Sequence, residues 1–225
     1  TCYADTALPV EFVGHPFVAP DYAPPVRYDP SGPILLLPGS RKQAVGRIFP
    51  VLLAGFQAYG RGGAVVLYPS EDILTVLRAA RPPADIRLMH VNEGQRRSDP
   101  IVASAVLTSS GTMSMHCALA GIPGAIAYRA NPLTYLLGRM LVKIEHLGIA
   151  NLLLGEAMYP EYIQRAATPA ALAAELHAAR EDRARQQRTA DQAARLRALL
   201  RVAASGTAAE WLDRNLASGA RSDGG

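Results

Sequence analysis

Cysteine is scarce in this chain of 225 residues, which carries only Cys2 and Cys117. The two stand far apart and in no CxxC or zinc-type spacing, so neither a disulfide framework nor a structural zinc site is expected, and a reducing compartment fits. No apolar run approaches the roughly 18 residues that a membrane-spanning helix needs, and no basic segment with a small-residue cleavage site opens the chain. A cytoplasmic protein is the resulting expectation. Asp-x-Asp, HExxH and the Walker-type Gly-x4-Gly-Lys-Ser/Thr pattern are absent, which removes support for metal-clamped phosphates and for P-loop hydrolysis. No metal and no cofactor is called for. Lysine is nearly missing as well: of 23 basic residues all but Lys42 and Lys143 are Arg.

With 49% apolar and 19% charged residues, the chain is composed like an ordinary globular protein with enough material for a full core. One domain plus appendages is expected. The Arg bias in an Ala-rich chain reads mainly as GC-rich coding, yet the net charge of +4 leaves a basic surface that favours anionic partners. The chain begins with Thr1, near what reads as the end of a strand at Val10 to Val13. The expectation is that a domain lies upstream, with residues 1–30 forming its end and a linker.

From residue 33, short β-rich runs alternate with helical patterns, the signature of βαβ units and a parallel sheet covered on both faces. Strands are expected at Ile34 to Leu37, Ala64 to Tyr68, Ile86 to Val91, Ala105 to Thr108 and Gly124 to Tyr128. Val45, Ile48, Phe49, Leu52, Leu53 and Phe56 share one face of a helix ending near Gly60, which Pro50 should kink. Ser70 is placed to cap a helix carrying Glu71 and Asp72 in its first turn and running to about Arg81. Asp99 to Ser104 reads as a short helix, Thr112 to Ala120 as another, and Pro132 to Val142 as a further one that is either core or an amphipathic face for a membrane. A domain over 31–168 is followed by a helical tail over 169–217, with helices at about 169 to 203 and 207 to 216. Residues 218–225 are expected to be disordered.

Four stations could carry chemistry. In open α/β sheets ligands bind beyond the carboxyl ends of strands, and free N–H groups at helix starts attract anions. Gly39, Ser40 and Arg41 follow the first strand, where Arg41 offers a bidentate positive charge for a diphosphate or is simply an Arg on an exposed turn. Ser110, Gly111 and Thr112 follow a later strand, and His116 stands one turn beyond Thr112; alternatively Ser110 is an N-cap and His116 a half-buried filler. Asn151 forms the third station, and Glu161 with Gln164 the fourth. Their amide and carboxylate groups can read sugar hydroxyls or a base, although Glu161 after Pro160 also reads as a first-turn helix acid.

Taken in order, Val13-Gly14-His15-Pro16, Leu37-Pro38-Gly39-Ser40-Arg41, Ser110-Gly111-Thr112, Tyr128-Arg129, Leu141-Val142-Lys143, Asn151-Leu152-Leu153 and Pro160-Glu161 with Gln164 resemble the C-terminal half of lipid-A-disaccharide synthase. The resemblance covers roughly residues 10–165. It implies a Rossmann-like, doubly wound α/β domain, the C-terminal half of a glycosyltransferase-B fold. It further implies an inverting, metal-independent transfer of a diacylated glucosamine unit from a UDP-sugar donor to a lipid-phosphate sugar acceptor. Arg41 would stabilise the diphosphate. Gly39, Ser40, Ser110, Gly111, Thr112, His116, Tyr128, Asn151, Glu161 and Gln164 would bind substrate, with His15 a further catalytic candidate. The partners implied are the donor, the acceptor, the N-terminal domain, a membrane surface and a second copy of the chain, with the protein peripheral on the inner membrane.

Departures from the family pattern are visible. His116 and Ala44 each stand where the family places Glu, and of its Ser-Leu-Pro-Asn only Asn151 remains in Gly148 to Asn151. Competing readings are a UDP-sugar epimerase or lipid-linked glucosaminyltransferase of the same fold, or a non-catalytic binding protein. A nucleic-acid role is not expected, because the Arg-rich segment from Arg180 to Arg201 also carries Glu181, Asp182 and Asp191 and has no interleaved aromatics.

Overall fold

The computed structural model describes residues 11, 13–19, 21–96, 99–129, 146–201 and 206–219. They fall into two compact units, one of Pro24–Leu196 and one of Thr1–Ala23 with Arg197–Gly225.

The larger unit is built on a six-stranded, all-parallel sheet. Its strands are β2 (Ile34–Leu37), β3 (Ala64–Tyr68), β4 (Ile86–His90), β6 (Ala105–Thr108), β7 (Gly124–Tyr128) and β8 (Glu161–Ile163), in the spatial order β4-β3-β2-β6-β7-β8. A separate parallel pair joins β1 (Val26–Tyr28) to β5 (Ile101–Ala103). The helices are α1 (Lys42–Tyr59), α2 (Glu71–Ala79), α3 (Val91–Arg96), α4 (Thr112–Leu119), α5 (Ile149–Leu154), α6 (Pro169–Glu181) and α7 (Arg183–Leu200). Continuous apolar strands mark a sheet buried on both faces, and Ile34 to Leu37 are all buried. Ile34, Leu36, Val66 and Leu107 share a core with the apolar stripe of α1, with Ile73 and Leu77 of α2, and with Leu172 and Leu176 of α6. Side chains alternate across a strand, so Leu35, Val106 and Ile126 point to the opposite face. There α5 begins with Gly148 against Ile126, so closely that a Cβ at Gly148 would collide with its side chain.

Several expectations met a different outcome. Asp99 to Ser104 is not a short helix: Ile101–Ala103 is β5, where β-branched Ile101 and Val102 pair with β1. Chain Pro24 to Tyr28, expected as linker, thereby joins the larger unit. The expected long helix from 169 is two helices, because Asp182 turns extended (φ −92°, ψ 106°) and its carboxylate accepts from the N–H of Ala184 and Arg185. Ser70 occupies the N-cap of α2, but its side chain makes no capping bond. Pro50 lies inside α1, where the sequence places it, and the helix runs from Lys42 to Tyr59. The carbonyl of Gly46 that its ring leaves without a donor belongs to an exposed residue, within reach of water. Glu161, read as a helix acid, opens strand β8. Neither Glu11 nor Val13 lies in a strand, while Val10 and Phe12 fall outside the described residues, as do the helix expected at Pro132 to Val142 and residues 220–225.

Polar side chains tie the late elements to the sheet. The Glu161 carboxylate accepts from the N–H of Leu147 and Gly148 at 2.8 and 3.0 Å, and from Asn151 Nδ2 at 2.7 Å, holding the open N-terminus of α5. Asn151 is wholly buried and spends its amide on Tyr159, donating to its carbonyl and accepting from its N–H. From α7, the buried Arg185 guanidinium donates to the carbonyls of Gly124 and Met158, both at 3.1 Å.

In the smaller unit, His15 Nδ1 accepts from Phe17 N and so caps a single 3-10 turn at Pro16–Val18. Helix α8 (Ala208–Gly219) opens with a reciprocal cap between Thr207 and Glu210, and Arg214 on it pairs with Glu11 at 2.8 Å.

Two outcomes are expected. Asn151→Ala strands the Tyr159 backbone groups and should destabilise the fold by about 3 kcal/mol, measured by urea denaturation; an unchanged midpoint would contradict the network. Cys117 is fully buried, and burial pushes its thiol pKa up to about 12. In the native protein it should therefore resist iodoacetamide at pH 8 and react only in denaturant, as followed by peptide mass spectrometry.

Candidate functional site

The strand order reverses between β2 and β6. From β2 the chain moves outward to β3 and β4, then returns to place β6 on the other side of β2. Ligands in open α/β sheets sit beyond the carboxyl ends of the strands at such a switch point. Here Leu37 pairs with Thr108, and Ser109 N donates to the Leu37 carbonyl at 2.8 Å, so the loops leaving the two strands run side by side. Gly39 adopts φ +104°, and a Cβ there would press to 3.1 Å on Ser109 Oγ. A side chain at position 39 would thus strain the backbone and crowd the neighbouring loop.

Between and around these loops lies a cleft of about 890 Å³. Its walls include Gly39, Ser40, Arg41 and the first turns of α1 on one side, and Ser109 to Ser114 on the other; Tyr128 and Arg129 close a third side at the end of β7. Four cationic side chains line it, Arg41, Lys42, Arg47 and Arg129, and among the described lining residues none is acidic. Lys42 is drawn into an exposed pair with Asp72 at 3.0 Å, whereas Arg41 and Arg47 have no carboxylate partner among the described residues.

Both helices that start here begin without a side-chain cap. Arg41 at the N-cap of α1 and Gly111 at the N-cap of α4 make no capping bond, and neither helix carries an acid in its first turn. The N-terminus of α2 differs, with Glu71 and Asp72 in the positions that the macrodipole favours. At α4 the Ser114 hydroxyl and N–H both donate to the Gly111 carbonyl, at 2.6 and 3.1 Å, and the N–H groups of Thr112 and Met113 remain as the first-turn donors toward the cleft. Two uncapped helix starts, hydroxyls and unpaired guanidinium groups around one opening make a site suited to a polyanion.

Of the residues singled out from the sequence, Gly39, Ser40, Arg41, Ser110, Gly111, Thr112 and Tyr128 line this cleft. Asn151 and Glu161 do not, being engaged with each other and with the turn before α5. Gln164, at φ +55°, starts a 3-10 turn after β8 and is not among the lining residues. His116 lies half-buried on α4, also outside the lining, and desolvation lowers its pKa. His15 belongs to the smaller unit. Arg47 and Arg129 line the cleft without having been singled out. The rule about carboxyl strand ends, applied to β7 as it was to β2 and β6, points to Arg129; Arg47 becomes visible only once the exposed side of α1 is known to face the opening.

A family model described as lipid-A-disaccharide synthetase matches residues 1–212. The lipid-A-disaccharide synthase of Geobacter metallireducens is 33% identical over 212 residues, 87% of this chain and 54% of the relative. That of Nitrosococcus oceani is 32% identical over 205 residues, 82% of this chain and 51% of the relative. The chain therefore spans about half the length of the curated relatives it matches. Among solved structures, the calicheamicin glycosyltransferase CalG4 matches over 92% of this chain and 46% of its own, with a TM-score of 0.52 and 16% identity. The likeness shows the fold, that of one Rossmann-like half of a glycosyltransferase-B protein. With the family model spanning 1–212 and relatives at about a third identity, the chain belongs to the lipid-A-disaccharide synthase family.

Proposed function

We propose that this chain is the donor-binding half of an inverting glycosyltransferase, moving a diacylated glucosamine unit from its UDP derivative to a lipid-phosphate sugar in lipid A synthesis. The observation that carries the reading is the Arg-lined cleft at the β2/β6 switch point, without an acid among its described residues, into which two uncapped helices open. UDP is the leaving group of such a transfer. As the acceptor hydroxyl attacks the anomeric carbon, the bond from that carbon to the diphosphate oxygen breaks and its electron pair leaves with UDP. Arg41 and the amides at the start of α4 stabilise the charge that develops there, the chemistry that preorganised donors perform best in a water-poor cleft. Divalent cations bind through carboxylates, and a lining with four cations and, among the described residues, no carboxylate is the wrong donor set for one. The proton acceptor and most acceptor contacts belong to the other half of the complete protein. His15 Nδ1 already accepts from Phe17 N and is assigned no proton transfer.

Membrane contact and a homodimer remain parts of this reading, since a lipid-linked donor has to be taken from a bilayer surface. No helix of the described residues is long and apolar enough to cross a membrane.

Calorimetric titration should show UDP binding more tightly than GDP or ADP; preference for a purine nucleotide would overturn the donor assignment. Arg41→Ala should weaken UDP by about tenfold or more, because a charge-assisted hydrogen bond contributes roughly 1.5–3 kcal/mol. In the complete enzyme, EDTA should leave turnover unchanged, and loss of activity restored by a divalent cation would refute the metal-free mechanism.

A further inference from the structure

Arg129 is the arginine of the cleft that a backbone carbonyl of the fold holds in place. It follows the last residue of β7, is half-buried, and its NH2 donates to the carbonyl of Ala167 at 2.8 Å, just ahead of α6. A guanidinium has five N–H donors in a rigid fork, so one edge held by a carbonyl leaves the others aimed by the anchor. Because β6 lies between β2 and β7, the loops carrying Arg41 and Arg129 flank the Ser110-Gly111-Thr112 turn from opposite sides. At about 4.8 Å per strand spacing they are separated by roughly 10 Å, a gap that two Arg side chains can close over an anion seated on the middle loop. No carboxylate among the described lining residues competes for either one.

We infer that Arg129 is a second, pre-oriented diphosphate ligand, clamping the leaving group against Arg41 across the α4 N-terminus, with Ala167 as its anchor. The inference rests on the UDP reading given above. It divides the work between the two guanidinium groups: Arg41, exposed and without a carboxylate partner among the described residues, moves to meet the ligand, whereas Arg129 waits in place. A pre-oriented donor loses less conformational freedom on binding, so its removal costs affinity out of proportion to its exposure.

Two variants separate charge from architecture. Arg129→Gln keeps a donor for the Ala167 carbonyl and removes the charge, and Arg129→Lys keeps the charge on a single ammonium without the planar fork. Titration with UDP should show about a tenfold loss for the Gln variant and recovery of most of that loss for the Lys variant. Thermal midpoints without ligand should match the parent, and saturation transfer to uridine, which lacks phosphate, should be unaltered. UDP affinity unchanged in Arg129→Gln, or equally weak in both variants, would overturn the clamp. A parent chain that binds no UDP would instead refute the donor-site reading on which the clamp rests.

Discussion

The pairing of β6 with β2 is the constraint on which the site depends. Had β6 joined the outer edge beside β4, the strand of this sheet that precedes it in sequence, the loops after Leu37 and Thr108 would emerge on separate parts of the sheet. Instead the register Leu37 to Thr108 sets them side by side, and the helices they start diverge from a common opening. Once β2, β3 and β4 are in place, the edge beside β2 is the free edge that reverses the strand order, and right-handed crossovers from there cover the opposite face of the sheet. The binding position is thus a consequence of topology before any side chain is considered.

The side chains then bias that opening toward negative ligands, at some expense to the free protein. An acid in the first turn of a helix is worth about 0.3–1 kcal/mol, and α2 takes it with Glu71 and Asp72. Helices α1 and α4, which face the cleft, forgo it, and Arg41 repeats the positive charge where the dipole is already positive. Unfavourable in an empty site, this arrangement would be relieved by a bound anion. The contrast between α2 and the two cleft helices is the clearest local sign that the opening is built for a ligand.

Residues that resemble ligand contacts by type serve the fold when their partners lie inside it. Asn151 and Glu161 have the chemistry to read a sugar, and both face inward to hold the turn into α5. Arg185 looks like one more cation on a solvated helix, yet it is buried against the carbonyls of Gly124 and Met158. A contribution of these groups to catalysis would run through the shape of the β7 to β8 crossover.

The sequence by itself determined the long buried strands, the amphipathic α1 and the loops at Arg41 and Ser110 to Thr112. Periodicity, Gly punctuation and strand-end position are local properties written in consecutive residues. Only the tertiary structure decided the three-residue strands β1, β5 and β8, since a strand that short exists by virtue of its partner and Ile101 to Ala103 has no pattern of its own. It also decided which polar residues face the cleft. A guanidinium, amide or carboxylate is satisfied by whatever group the fold brings within about 3 Å; for Arg129 that group is the Ala167 carbonyl beyond the next crossover, and for Asn151 and Glu161 it is each other and the backbone of the adjoining turns, which residue type does not announce.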